Sequence, residues 1–190
     1  MHRERSRAVT TRPEGLTYRA EFLTREEEAA LLADVETLPF QEVRMHGVVA
    51  RRKTIHFGWD YDYEGWSISP TDAPPEFLRP LIARCAEAAG LAAEALAQVM
   101  VARYPPGAAI GWHRDAPMFG SPVIGVSLGS ACVMRFRRGK VRNWETYAQL
   151  LEPRSLYILD GPSRTQWQHA IPRTDELRYS VTMRTVARKG

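Results

Sequence analysis

Apolar and polar positions first fall into a pattern at residue 16. Leu16 to Leu23 alternates loosely, at the period of a strand. Thr24-Arg25-Glu26-Glu27 then spells a capping box, in which the Thr24 hydroxyl can accept from the Glu27 amide. Leu31, Leu32, Val35 and Leu38 follow on one helical face. Residues 41–70 predict short strands and turns rich in aromatics. Pro74 and Pro75 open a second helix, whose apolar face carries Phe77, Leu81, Ile82 and Cys85 and which ends near Gly90. A shorter Ala-rich helix is expected over residues 91–98.

From residue 99 the period changes. Short apolar runs separated by Gly and Pro turns predict strands at 99–104, 109–113, 123–128, 131–137, 147–151, 155–159, 166–170 and 178–186. Strands this short and closely spaced predict a sandwich or small barrel. The fold class is therefore α+β, with helices buttressing a C-terminal β-sandwich. There is no internal repeat. With 190 residues the chain suits one domain, over 16–190. Residues 1–15 are charged, lack an apolar stretch, and read as a mobile tail rather than a secretory signal.

Composition adds little: 44% hydrophobic and 25% charged residues is ordinary for a globular protein. No apolar run approaches the roughly 20 residues of a membrane span. Cys85 and Cys132, far apart in apolar surroundings, read as buried free thiols of a reducing cytoplasm. The net charge of +4 says less than its clustering. Arg135, Arg137, Arg138, Lys140 and Arg142 form one basic run, and Arg51, Arg52 and Lys53 another. Each is either a solvated face or a set of phosphate contacts.

Candidate chemistry lies in the β region. His113 and Asp115 are two residues apart, so in an extended segment both side chains point to one face. His169, 54 residues beyond Asp115, could add a third ligand from another strand. Two histidines and one carboxylate suit ferrous iron that keeps open positions, or zinc with a water. His46 and His56 read as ordinary surface residues. Further on, alternation puts Arg178, Ser180, Thr182 and Arg184 on one strand face, and Tyr179, Val181 and Met183 on the other. Six residues of strand span about 20 Å. Two inward-reaching guanidiniums at the ends of that row could hold a short diacid beside the metal, since arginine matches a carboxylate bidentately. The competing reading is a strand with an exposed polar face.

Taken together, His113-x-Asp115, His169 and Arg178-x5-Arg184 resemble the signature of the AlkB family of Fe(II)- and 2-oxoglutarate-dependent oxygenases. Arg103-Tyr104-Pro105-Pro106-Gly107, Val126-Ser127-Leu128-Gly129-Ser130, Met134-Arg135-Phe136 and Pro153-Arg154-Ser155-Leu156 leading to Gly161 extend the resemblance, particularly to RNA-acting branches. It is strong over about 99–186 and looser over 16–98. The resemblance implies a double-stranded β-helix, or jelly-roll, core over about 99–186 and a substrate-covering lid over about 41–70. It implies Fe(II) at His113, Asp115 and His169, with O2 and 2-oxoglutarate as co-substrates. Arg178 would bind the distal carboxylate of 2-oxoglutarate, Tyr104 would hydrogen-bond it, and Arg184 would sit near the metal end, as a co-substrate contact or as support for the metal ligands.

The implied activity is oxidative dealkylation of bases in DNA or RNA, as in base repair, releasing succinate, CO2 and an aldehyde. Hydroxylation of a modified RNA base, a protein side chain or a small molecule is the alternative. The partner would be nucleic acid, acted on by a monomer with no membrane association. Trp59 and Tyr61, with Arg51, Arg52 and Lys53, are the candidate substrate contacts, because aromatics beside cations suit an unstacked base. Packing of Phe57, Trp59 and Tyr61 against the sheet is the competing reading, and Trp112 and Trp167 read as packing residues. Two positions depart from the family pattern. Ala102 stands where members often carry Asn, so one hydrogen bond to the co-substrate is missing or supplied elsewhere, and Pro117 stands where some carry an acidic residue that reads the base.

Overall fold

The structure is a computed structural model that describes residues 5–8, 11–45, 48–62, 67–141 and 143–186; side chains are described except at 5–8, 44, 45, 48, 61, 62, 67 and 68. The elements are β1 (Arg5–Ala8), β2 (Leu16–Arg19), α1 (Arg25–Val35), β3 (Gln41–Met45), β4 (Val48–Phe57), β5 (Trp59–Asp62), β6 (Ser67–Pro70), α2 (Arg79–Ala88), β7 (Gln98–Tyr104), β8 (Ile110–His113), β9 (Phe119–Leu128), β10 (Cys132–Lys140), β11 (Asn143–Leu151), β12 (Leu156–Leu159), α3 (Gly161–Thr165), β13 (Gln168–Ile171) and β14 (Arg178–Val186).

Two sheets form a jelly-roll sandwich. The larger has seven strands in the order β2-β12-β9-β14-β7-β4-β3, and the smaller five in the order β1-β11-β10-β13-β8. Strands β5 and β6 make a separate hairpin. Pairing is antiparallel except between β1 and β11. Met100 and Tyr104 of β7, Met134 and Phe136 of β10 and Ile171 of β13 meet in the core between the sheets. On the far side of the larger sheet, Val35, Leu81, Ile82 and Cys85 of the helices pack against Val101, Val126, Val181 and Met183. The helices thus buttress the sandwich, as their apolar faces predict.

Helix α1 starts where the capping box predicts. Glu27 N donates to Thr24 Oγ1 (3.1 Å) and Thr24 N donates to Glu27 Oε2 (2.8 Å), giving two end amides partners. The expected second helix begins as a 3-10 turn at Glu76–Leu78 and continues as α2. Both cysteines are free and buried, and burial pushes the Cys85 thiol up to about 12. No helix among the described residues is long and apolar enough to cross a membrane.

Several elements differ from the sequence pattern. The Ala-rich stretch 91–98 is not an α-helix: only Ala93–Ala95 forms a 3-10 turn, and Gln98 already belongs to β7, paired with Arg184. A run of eight residues nucleates poorly on its own, and sheet pairing claims its end. In the stretch read as a tail, Arg5–Ala8 lies along β11, whose edge would otherwise expose unpaired amides and carbonyls. Within 41–70, β4 is a ten-residue strand built into the larger sheet between β3 and β7, and only β5 and β6 stand apart. His46 and Tyr63 lie outside the described residues.

Strand β14 is central, flanked by β9 and β7, and buried on both faces. Strand β12 crosses β9 with Tyr157 opposite Gly125. A Cβ at Gly125 would lie 2.1 Å from Tyr157 Cζ. Tyr157 is itself buried and cannot withdraw freely. Gly125→Ala should therefore lower stability by about 1–3 kcal/mol, read as the midpoint of denaturant unfolding; an unchanged midpoint would show that the ring relocates.

Candidate metal and co-substrate site

Antiparallel pairing of β13 with β8 places His169 opposite His113. The ring centroids are 4.3 Å apart. Asp115 follows two residues after His113, just past the end of β8, and its Oδ2 lies 3.6 Å from His169 Nε2. His113 Nδ1 donates to the Gly111 carbonyl (2.8 Å), which leaves the lone pair on Nε2. The three groups expected from sequence are thus neighbours. Among the described residues, no group of three or more His, Cys, Asp or Glu side chains is arranged to hold a metal ion as it stands. Arg184 instead takes hold of the carboxylate: its Nε and Nη2 both lie 2.7 Å from Asp115 Oδ1.

Strand β14 carries the polar row. Arg178, Ser180, Thr182 and Arg184 are all buried, so the row is not an exposed polar face. Arg184 Nη1 donates to Gln98 Oε1 (2.8 Å), its cross-strand partner on β7. Arg178 is wholly buried, with its guanidinium carbon 5.1 Å from the Tyr104 ring centroid. Its Nη2 donates to Ser127 Oγ (2.9 Å), while Nε and Nη1 have no hydrogen-bond partner. Buried donors of a cation left in this way call for an anion. Ala102 lies in register between Thr54 of β4 and Ser180 of β14, each of which carries a hydroxyl.

Charge states follow from this burial. Burial raises Asp115, but the Arg184 guanidinium, with smaller help from His169 and His113, outweighs it and holds the carboxyl well below its usual range. Burial, reinforced by His113, pulls His169 down to about 3, and burial also lowers His113. At neutral pH the cluster is two neutral imidazoles and one carboxylate, the protonation that metal ligation requires. Asp115 Oδ2 is buried without a hydrogen-bond donor, a site for a cation.

A cavity of about 870 Å³ opens over the cluster and reaches from Arg52 and His56 on β4 to Tyr104 on β7 and Arg164 on α3. His56 is not a surface residue: its side chain is 7% exposed, faces this cavity, and pairs with Asp60 at 2.7 Å. Strand alternation separates the first basic run. Arg52 is buried and lines the cavity, Arg51 is exposed beside Gly107, and Lys53 pairs in register with Arg103. Trp59 is half-buried and does not line the cavity, and the Tyr61 side chain lies outside the described residues.

In the second basic run, Arg137 is stacked between Trp112 and Trp144, and Arg138 is paired with Glu145 over the Trp167 ring. Arg135 and Lys140 are exposed, and Arg142 lies outside the described residues. Trp167 is buried, whereas Trp112 also lines the cavity. Sequence reasoning passed over Gln98, Arg164 and His56, which meet the site only through sheet pairing and loop packing. Ser180 and Thr182 were visible in the alternation of β14.

The fold and the cluster define a jelly-roll protein with neighbouring His113, Asp115 and His169 and a wholly buried arginine, Arg178, two of whose nitrogens lack partners. The profile of the 2OG-Fe(II) oxygenase superfamily matches residues 15–185. The chain is 31% identical over 159 residues to the alpha-ketoglutarate-dependent dioxygenase AlkB of Escherichia coli K12, covering 74% of this chain and 73% of that one. It is 28% identical over 200 residues to the alkylated DNA repair protein ALKBH8 homolog of Arabidopsis thaliana, covering 92% of this chain and 56% of the relative's length. The chain thus spans little more than half of that relative, and 25% of the Xenopus tropicalis tRNA (carboxymethyluridine(34)-5-O)-methyltransferase alkbh8. Among solved structures, OsALKBH1 superposes with a TM-score of 0.72 at 17% identity, over 93% of this chain and 99% of that one. A Pseudomonas putida prolyl-4-hydroxylase superposes with a TM-score of 0.64 at 15% identity, over 91% and 93%. These two show the fold alone. The chain belongs to the 2OG-Fe(II) oxygenase superfamily, in its AlkB family of Fe(II)- and 2-oxoglutarate-dependent dioxygenases.

The lowered histidines make the metal-free protein acid-sensitive. Unfolded histidine takes up protons from about pH 6.5 downward, while folded His169 resists until about 3. Stability is therefore full above that upper value and falls as pH drops, by of order 1 kcal/mol per pH unit for each lowered histidine. Asp115 adds a loss in the same direction below about pH 4, since its folded value is depressed. The melting temperature of metal-free protein should fall steadily from pH 7 to pH 4, less steeply in His169→Gln; equal slopes would refute the assignment.

Proposed function

We propose that this chain oxidatively dealkylates bases of DNA or RNA, with Fe(II) held by His113, Asp115 and His169. The observation that carries the reading is the buried His–Asp–His cluster at the floor of a cavity rimmed by guanidiniums. The residues fit the metal. Both imidazoles are neutral, the carboxyl is ionised, and Asp115 Oδ2 lacks a donor. The co-substrate's distal carboxylate suits Arg178, whose Nε and Nη1 lack hydrogen-bond partners and whose guanidinium lies against the ring of Tyr104, which with Ser180 lines the cavity. When bound, the iron and 2-oxoglutarate activate O2 to oxidise a substrate C–H bond.

Each residue of the chain then has a definite task. Arg184 keeps Asp115 ionised and oriented, and Gln98 orients Arg184. Apolar walls at Met100, Met134 and Ile171 exclude water from the co-substrate end. For an N-methyl base, one oxygen atom of O2 enters the methyl group and the other enters succinate, with CO2 released from 2-oxoglutarate. The N-hydroxymethyl product then loses formaldehyde and restores N–H. Similarity to proteins named for AlkB and ALKBH8 supports a nucleic-acid substrate. Arg114, exposed at the cavity mouth, suits a phosphate. A cytoplasmic, monomeric enzyme is part of the same reading.

His113→Ala and Asp115→Ala should each abolish iron-dependent succinate formation, and undiminished turnover in either would refute the metal assignment. Arg178→Ala should raise the 2-oxoglutarate concentration needed for half-maximal rate by tenfold or more, the order of losing a charged hydrogen bond. An unchanged requirement would move the carboxylate site elsewhere. Mass spectrometry of alkylated DNA and RNA panels, incubated with Fe(II) and 2-oxoglutarate, tests the substrate. Steady 2-oxoglutarate turnover with no altered base would sink the nucleic-acid reading in favour of a protein or small-molecule substrate.

A further inference from the structure

The outer face of the smaller sheet carries side chains that neither the core nor the metal site uses. Met134 and Phe136 of β10 point into the core, so strand alternation turns Val133, Arg135 and Arg137 outward. Register puts Trp144 of β11, opposite Gly139, and Gln168 of β13, opposite Arg137, on the same face. Val133 and Leu150 are 38% and 50% exposed, so this face is open. The Arg137 guanidinium carbon lies 4.5 Å from the Trp112 ring centroid and 4.4 Å from that of Trp144. Its Nε donates to Gln168 Oε1 (2.8 Å), which fixes the guanidinium plane and leaves Nη1 and Nη2 for another acceptor. Arg135, two residues along the same face, is exposed. The single acidic residue of β10, β11 and β13 is Glu145, which alternation places on the opposite face, paired with Arg138.

Trp112 also lines the cavity, so the row Trp112–Arg137–Trp144 runs from the site onto the open face. Indole rings beside cations suit a single strand, whose bases stack on the rings while its phosphates meet the guanidiniums. A guanidinium already held between two rings loses little freedom when it binds a phosphate. A face with cations and no carboxylate favours a polyanion over an apolar protein segment. We infer that the outer face of the smaller sheet is a platform for single-stranded nucleic acid, along which the strand carrying the target base leaves the cavity. Arg137 and Arg135 meet its phosphates, and Trp144 stacks on a base outside the site. This inference rests on the nucleic-acid reading above and adds to it the path of the strand.

The test measures binding of a labelled single strand of about 12 nucleotides to the full chain, by fluorescence anisotropy at a series of salt concentrations. Trp144→Ala should weaken binding about tenfold, the size of one lost base stack. The loss should shrink with strand length and be smallest for a trinucleotide, which has few bases beyond the cavity. Arg135→Gln, at an exposed position that does not threaten folding, should lower the slope of log K against log salt by roughly 0.7, one phosphate contact on a single strand. Quenching of tryptophan fluorescence by the bound strand should be reduced in Trp144→Phe. Unchanged affinity and slope in these variants, with the wild-type chain still binding the strand, overturn the platform, leave the face to a protein partner and leave the nucleic-acid reading standing. A wild-type chain that shows no salt-dependent binding of any strand overturns both.

Discussion

The site depends on one ion pair, Asp115 with Arg184. A carboxyl buried beside two imidazoles would ordinarily take up a proton, because burial disfavours its charged form. The Arg184 guanidinium, 2.7 Å away through two nitrogens, reverses that balance. Burying the pair is itself costly, and it holds only where geometry is good and the remaining donors are satisfied. Gln98 meets that condition by accepting from Nη1 across the β7–β14 pairing. The ionised carboxylate that a metal needs is thus sustained by three residues on three different segments.

Strand β14 ties this chemistry to the fold. Its apolar side, Tyr179, Val181 and Met183, is part of the core under the helices, and Ser180, Thr182 and Arg184 of its polar side line the cavity. The period-2 alternation of a strand makes both possible in nine residues, and a one-residue slip would exchange them. Register is held on both flanks by β7 and β9. The buttressing helices therefore matter to function through this strand, since they bury the side that fixes where the arginines point.

The departures at Ala102 and Pro117 take on meaning in this frame. Ala102 lies in register between Thr54 and Ser180, so the hydroxyls nearest this position come from β4 and β14. Pro117 lines the cavity beside Arg114, Asp115 and Ala116 without a charged side chain. Of the basic run prominent in the sequence, Arg137 and Arg138 on β10 are engaged in Trp stacking and a surface ion pair.

Local order was legible in the sequence wherever short-range physics decides it. The Thr24–Glu27 cap, the apolar faces of α1 and α2, the short strands after residue 99 and the two-sided alternation of 178–184 all depend on neighbours within a few residues. His113-x-Asp115 and the paired arginines were visible for the same reason. Tertiary structure alone decided that Gln98 is a strand residue, that Arg5–Ala8 lies along β11, that His56 and Arg52 face the cavity, and that Arg164 reaches the loop beside Asp115. Those outcomes depend on which strands pair and in what register, contacts between residues distant along the chain. The Asp115–Arg184 pair belongs to both: its members stood out in the sequence, but the charge it maintains comes from burial, which only the assembled sandwich supplies.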